Sequence, residues 1–222
     1  MEIFSKDKTI DVEALKLRLL GRKTIQPRFR LDMTAKQAED ILLAAYQAEV
    51  EFRHRAFLLD EPTVLNVRKL AAYLTGECHK FGVMLCGICG NGKTTMLYAF
   101  RSALLWLSDC GAFKPSRKRI TVVDAKEVQQ YARDQKAFQD LRQCELLAVE
   151  DMGREPLEVL DYGNVLNPVV DLLEYRYNNQ LFTFITTNLR ADEIRKKYGD
   201  RIADRFNEML EVIVFGGDTY RK

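Results

Sequence analysis

Apolar residues recur every three or four positions between 34 and 59: Ala38, Ile41, Ala45, Ala48, Phe52, Ala56 and Leu59. That period sets them on one helical stripe and predicts a single long helix over 34–59. Thr34 and Gln37 form the pair that opens it, since hydroxyl and amide satisfy each other's backbone donors in a capping box. The stripe is narrow and alanine-rich, the form of a helix that packs on a partner surface or on a main domain. "DEPT" at Asp60–Thr63 interrupts it, and Pro62 is placed to open a second helix running to about Lys80. The first 60 residues are expected to be a helical appendage flanked by basic residues.

From Phe81 onward the texture changes. Short apolar runs ("GVMLCG", "ITVVDA", "CELLAVED", "LFTFITTN", "EVIVFGG") alternate with helical stretches at Lys93–Leu107, Ala125–Leu141, Leu166–Asn178 and Ala191–Leu210. Continuous apolar runs without polar alternation are the mark of parallel strands covered on both faces. Strand and helix in turn predict an α/β fold with a parallel sheet flanked by helices. No internal repeat or low-complexity segment breaks the pattern.

Composition narrows the class further. The chain is 47% hydrophobic and 30% charged, ordinary for a globular protein, and no apolar run reaches the roughly 20 residues of a membrane span. The start, "MEIFSKDKTIDVE", lacks the apolar core of a signal peptide, so the expected compartment is the cytoplasm. Five cysteines, an odd and scattered set, fit reduced thiols. The net charge of +2 gives no global field for nucleic acid. Locally, Ala14–Leu31 carries Lys16, Arg18, Arg22, Lys23, Arg28 and Arg30 without an acid, and "KPSRKR" spans Lys114–Arg119. Each stretch suits a phosphate backbone, and each equally suits a solvated basic face.

"CGICGNGKTT", Cys86–Thr95, holds two overlapping patterns. Cys86 and Cys89 have the spacing of a metal or redox pair, but no second CxxC or paired histidines complete a four-ligand site. The other pattern is complete: Gly87, Gly92, Lys93 and Thr94 fill every fixed position of G-x-x-x-x-G-K-[ST], with Gly90, Asn91 and Thr95 completing the loop. Glycines let backbone N–H groups curl around phosphate oxygens, Lys93 adds charge, and Thr94 offers a hydroxyl to Mg²⁺. An apolar run precedes this loop and a helix follows, which turns the positive helix end toward the anion.

A phosphate cradle that hydrolyses its ligand needs carboxylates for Mg²⁺ and for water. "LLAVEDMG" supplies Glu150 and Asp151 at the end of an apolar strand. The strand "LFTFITTN" ends on Asn188, an amide placed to orient water or sense a γ-phosphate. In "YGDRIADRFNEML", Arg201 and Arg205 lie four apart on one helical face, able to reach a phosphate across a subunit boundary or to bridge Asp200 and Asp204.

Together these segments resemble the DnaC/IstB-like branch of the AAA+ ATPases, the bacterial helicase loaders and transposition helper ATPases, over about residues 60–222. The closing "FGGDTYRK" and the Gly153 after the acidic pair add to the likeness. The resemblance implies a P-loop NTPase fold, with residues 1–60 as a helical partner or DNA-contact region and 61–222 as the ATPase domain without a large C-terminal lid. It implies ATP and Mg²⁺ as cofactors, with Lys93 and Thr94 as Walker A residues and Glu150 and Asp151 as the Walker B acids. Thr94, Glu150 and Asp151 would hold the metal, Asn188 would be sensor 1, and Arg205, with Arg201 as second choice, would be the arginine finger. Implied partners are a replicative helicase or a transposase, DNA expected to be single-stranded, and further copies of the chain assembling on ATP or DNA. The family usually places Asp first in the acidic pair. Here Glu150 precedes Asp151, which points to slow hydrolysis or an ATP-gated switch. A small-molecule P-loop kinase is the competing class, and it would be expected to show an arginine-rich lid.

Overall fold

In a computed structural model the residues described are 10–21, 28–156, 159–161, 164–216 and 219–220, as backbone alone for 159–161 and 164–166. Among the described residues seven strands are interspersed with helices: β1 (Gly82–Gly87), β2 (Ile120–Asp124), β3 (Leu146–Met152), β4 (Val159–Asp161), β5 (Asn164–Leu166), β6 (Phe182–Thr187) and β7 (Leu210–Phe215). The helices are α1 (Val12–Leu20), α2 (Ala35–Phe52), α3 (Glu61–Thr75), α4 (Lys93–Asp109), α5 (Val128–Ala132), α6 (Gln135–Gln143), α7 (Pro168–Asn178), α8 (Ala191–Tyr198) and α9 (Asp200–Met209). Five strands form one parallel sheet in the order β2-β3-β6-β1-β7. β4 and β5 form a separate antiparallel hairpin, which no run in the sequence predicted.

Successive strand residues point to opposite faces, and the two cores follow that alternation. Val83, Leu85, Ala148 and Phe184 join one cluster with α2, α3 and α4, whereas Met84, Leu147, Val149 and Ile185 join the other with α7 and α9. In the inner strands β1, β3 and β6 both faces are therefore largely dry, which is why those segments are mainly apolar. The edge strands β2 and β7, by contrast, expose Thr121, Val212 and Val214. Each fully buried Leu or Phe here, Leu85 and Phe184 among them, stabilises the fold by about 1.5–3 kcal/mol. Arg176 of α7 is fully buried and donates to the carbonyls of Arg142, Cys144 and Phe182, closing the end of α6 against the sheet.

Several helices are shorter than their patterns predict. The Thr34–Gln37 capping box forms as expected, but α2 stops at Phe52, because Arg53 caps it and His54 takes a left-handed φ of 55°. Ala38, Ile41 and Ala45 of the expected stripe do face the core, but Leu42 and Tyr46 beside them are the most buried large side chains, and Ala48, Phe52 and Ala56 are exposed. The sequence carries two overlapping stripes, and the larger side chains take the interior. The second helix ends at Thr75, where the Arg30 guanidinium donates to the carbonyls of Gly76, Cys78 and Lys80. His54 and His79 consequently lie outside helices. Asp134 caps a new start and splits the expected 125–141 helix into α5 and α6. Gly199, with φ 84°, splits 191–210 into α8 and α9.

Residue 60 falls inside continuous packing. Leu31, Ala38, Leu42 and Tyr46 share a core with Leu70, Met96 and Phe100, and Glu39 pairs with Arg68 at 3.1 Å to tie α2 to α3. α1, by contrast, buries no residue and exposes Leu17, Leu19 and Leu20. Of the basic stretch, Arg22 and Lys23 lie outside the described residues, as do Gly217, Asp218, Arg221 and Lys222 of the closing run.

Candidate functional site

The loop after β1 is shaped by its glycines and tied down at both ends. Gly92 has φ 93°, and a Cβ there would sit 2.2 Å from the Tyr46 hydroxyl. Gly87 has φ 150°, and its Cβ would meet the Phe215 carbonyl at 2.5 Å. Asn91, 3% exposed, donates its amide to that same carbonyl at 2.7 Å and so fixes the loop to β7. Lys93 is folded back on the loop, with Nζ donating to the carbonyls of Gly87 (2.8 Å) and Ile88 (2.7 Å) and to Asn91 Oδ1 (3.0 Å). α4 starts at this lysine without a side-chain cap, leaving its first N–H groups turned outward as an anion-binding end.

These groups open on a cavity of about 1280 Å³ at the carboxyl ends of the strands, the place where open α/β sheets take ligands. Gly90, Asn91, Gly92, Lys93, Thr94 and Thr95 all line it. Asp151 and Asn188 reach it from the tips of β3 and β6, which flank each other in the sheet. Asp151 is turned in by the backbone: the β3–β6 register shifts between Val149 and Met152, and Asp151 takes φ 52°. Its N–H donates to Thr186 Oγ1 at 2.9 Å, and Thr187 Oγ1 donates to Met152 O at 2.6 Å, so β6 braces this turn. Asp is among the few residues that tolerate that conformation.

Glu150 points elsewhere. Its carboxylate accepts from the Tyr98 hydroxyl at 3.3 Å on α4, outside the cavity lining. Burial, and then the Glu150 charge, push the Tyr98 hydroxyl pKa up. Arg201 and Arg205 also lie away from the cavity, both on Glu174 of α7. The Arg205 side chain is 15% exposed and stacks 5.0 Å from the Tyr177 ring, whereas that of Arg201 is 73% exposed. Cys86, flanking the loop, has its thiol pKa pushed up by burial against the opposing charge of Lys93, so it is held as a thiol. Among the described residues no cluster of three His, Cys, Asp or Glu could hold a metal by itself. A metal at this cavity would be held by the hydroxyl of Thr94 and by carboxylate and ligand oxygens, a hard-donor set that suits Mg²⁺.

Several lining residues escape the sequence patterns. Arg53 and Arg55 come from the end of α2, where a continuous helix was expected, and Arg154 follows the acids and pairs with Asp151 at 2.5 Å. Four cationic side chains, those of Arg53, Arg55, Lys93 and Arg154, face two carboxylates, those of Asp60 and Asp151. Tyr220 donates its N–H to Gly90 O at 3.0 Å and its hydroxyl to Asp60 Oδ2 at 2.7 Å, so this residue straps the loop to the start of α3. Tyr46 beneath it has its hydroxyl pKa pushed up to about 12, first by burial and then by nearby Tyr220 and Asp60. Behind Arg154, buried Glu155 accepts from Gly153 N (2.8 Å) and from the Tyr198 hydroxyl, and Lys197 donates to the carbonyls of Gly153 (2.6 Å) and Glu155 (2.7 Å). The short "GREP" that follows the acids gave no periodic sign of this clamp.

No family model matches the sequence, and a search of curated proteins finds no match. Solved structures do match in fold. The DnaC helicase loader aligns over 72% of this chain and 93% of its own, with 21% identity and a TM-score of 0.53. DnaI aligns over 82% of this chain and 93% of its own, with 19% identity and a TM-score of 0.55. The replication initiator DnaA, bound to AMPPCP and single-stranded DNA, aligns over 73% of this chain and 49% of its own, with 16% identity and a TM-score of 0.52. The chain shares with these structures an α/β fold, a five-stranded parallel sheet flanked by helices.

Proposed function

We propose that this protein binds Mg·ATP in the cavity at the strand ends and works in DNA replication as a helicase-loader ATPase. One observation carries the nucleotide assignment: Lys93, Thr94, Asp151 and Asn188, from three adjacent strand ends, line a single cavity over an uncapped helix start. Backbone N–H groups of the loop and of α4 would take the phosphate oxygens. Lys93 already donates to three oxygens of its own loop, and phosphate oxygens would take their place. Mg²⁺ would be held by the Thr94 hydroxyl, by Asp151 and by phosphate oxygens, with Glu150 turned away to Tyr98, and it would supply charge neutralisation at the phosphates. Asn188 would orient the attacking water, and Asp151 would accept its proton.

The test is calorimetric titration of the intact protein with Mg·ATP. Saturable binding is expected, weakened about 100-fold in Lys93→Ala, since a charge-assisted contact of about 1.5–3 kcal/mol is removed. Equal binding by both proteins would overturn the assignment. A second reading, an ATP-gated module that turns over slowly, is favoured by two contacts: Arg154 already neutralises Asp151, and Glu150 is engaged by Tyr98. Phosphate release measured on the same samples separates the two, because binding without release selects the module.

The partner surface is assigned to the start of the chain, and α2 is assigned to the ATPase core. α1 presents Leu17 and Leu20 at 68% and 84% exposure beside Lys16 and Arg18, and we assign to it the contact with a replicative helicase. Co-sedimentation of the full chain with a hexameric helicase should be lost in Leu17→Glu. Undiminished binding, or capture of a transposase instead, would move the protein to the transposition helpers. Assembly on single-stranded DNA, with Arg201 or Arg205 reaching a neighbour's ATP, belongs to the same proposal.

A further inference from the structure

The geometry points to Arg53 as an additional nucleotide-binding residue, holding the phosphate nearest the ribose from outside the P-loop. This inference rests on the Mg·ATP assignment above and extends it to a residue that belongs to none of the P-loop, acidic-pair or strand-tip motifs.

Arg53 caps α2, which runs antiparallel along α4, and it lines the cavity. Its Nη1 donates to Thr95 Oγ1 at 3.2 Å, and its guanidinium lies 5.6 Å from the Tyr98 ring centroid. Thr95 stands in the first turn of α4, two residues beyond Lys93. The other end of the triphosphate is already marked: Lys93 and Thr94 belong to the β- and γ-phosphates and Mg²⁺, and Asp151, Arg154 and Asn188 stand at the β3 and β6 tips. Arg53 approaches from the α2 wall, beside Tyr46 and Val50, so its charge falls on the phosphate next to the sugar.

Electrostatics argue that this position awaits an anion. A helix start carries partial positive charge, and a cation placed against it is unfavourable without a counter-ion. Glu49 gives Arg53 incomplete relief, with Oε2 3.7 Å from Nη2, while Glu49 Oε1 accepts from Ser102 Oγ at 2.9 Å. The Arg53 side chain is 34% exposed, held by Tyr98 yet open to the cavity. A guanidinium fixed by a ring and a threonine hydroxyl presents its remaining N–H groups in the fork that phosphate oxygens fit.

The test is calorimetric titration of the full-length protein with Mg·ATP and Mg·ADP, alongside Arg53→Ala, Arg53→Lys and Glu49→Gln. Arg53→Ala should weaken ATP and ADP alike, by about 10- to 100-fold, the scale of a lost charged contact. Arg53→Lys should recover part of that loss, and Glu49→Gln should leave affinity unchanged or tighter. Arg53→Ala should also keep the melting temperature of the nucleotide-free protein while losing most of the shift that ATP induces. A loss confined to ATP would overturn the placement, and no loss at all would overturn the role. If Glu49→Gln weakened binding as much as Arg53→Ala, Arg53 would be a structural partner of Glu49, and the inference would fall. Failure of the unaltered protein to bind either nucleotide would overturn the Mg·ATP assignment itself, and this inference with it.

Discussion

Substituting Gly92 by alanine tests the shape of the loop through a single atom. Two separate penalties follow from the geometry. The first is conformational: φ is 93°, and an L side chain in left-handed backbone costs about 1–2 kcal/mol. The second is steric, because the new Cβ would lie 2.2 Å from the Tyr46 hydroxyl, while the next nearest atom, Tyr46 Cζ, is 3.4 Å away. Tyr46 is 5% exposed and packed in the core, so it cannot swing aside cheaply, and an overpacking cost of about 1–3 kcal/mol applies. Tyr46→Phe deletes the offending oxygen and leaves only the 3.4 Å contact, which is ordinary packing. Gly92→Ala should therefore destabilise by about 3 kcal/mol in the natural background but by about 1–2 kcal/mol in Tyr46→Phe, a coupling of about 1–2 kcal/mol. At this chain length that coupling corresponds to roughly 2–8 °C in melting temperature. Urea denaturation of the four proteins measures it directly. Additivity within about 0.5 kcal/mol would refute the steric part, and with it the placement of Tyr46 over the loop.

The strap should respond to acid. Burial alone would raise the Asp60 pKa, but hydrogen bonds from Thr63 and Tyr220 outweigh it and hold the carboxyl below its ordinary value of 3.8. A depressed folded-state pKa means stability that is present above the unfolded value and lost as pH falls through the folded one. The melting temperature should thus fall more steeply below about pH 4 in the natural protein than in Asp60→Asn, and parallel curves would count against the strap. The two arginines of α9 should separate as well. Arg205, packed between Glu174 and Tyr177, should cost about 1–2 kcal/mol on change to alanine, a loss read by urea denaturation. Exposed Arg201 should cost within about 0.5 kcal/mol while removing any concentration-dependent rise in ATPase rate, and a rise that survives would exclude it as a finger.

The sheet and the phosphate loop were legible because both depend on local pattern. Five apolar runs became the five strands of the main sheet, since burial on both faces of β1, β3 and β6 demands mainly apolar residues there, and the edge strands β2 and β7 carried enough apolar residues to stand out as well. Helix ends were less legible. α2 ends on the conformation of His54, and α3 ends where Arg30, 46 residues away, donates to Gly76 O. The stripe of α2 was right in its first half, where Ala38, Ile41 and Ala45 face the core, but it missed Leu42 and Tyr46 on the neighbouring line, which the space against α3 and α4 selects. The cavity wall was least legible. Arg53 meets Thr95 across 42 positions and Tyr220 meets Asp60 across 160, and no periodicity links residues so far apart.

The inverted acidic pair has a physical logic that neither residue shows alone. On a regular strand, Glu150 and Asp151 would point to opposite faces, and only one could serve the loop. The register shift after Val149 breaks that alternation, and the left-handed turn at Asp151, held by Thr186, aims the shorter side chain into the cavity. A β-branched or bulky residue at this φ would be strongly disfavoured, whereas Asp adopts it readily. Glu150 keeps the strand direction, opposite Asp124 in the register, and its longer chain spans the gap to Tyr98 on α4. Tyr98 lies one turn beyond Thr94 and carries Arg53 over its ring. The pair thus divides its work by length: Asp151 lies at the cavity because the backbone carries it there, and Glu150 bonds across to the helix that presents Thr94 and Thr95.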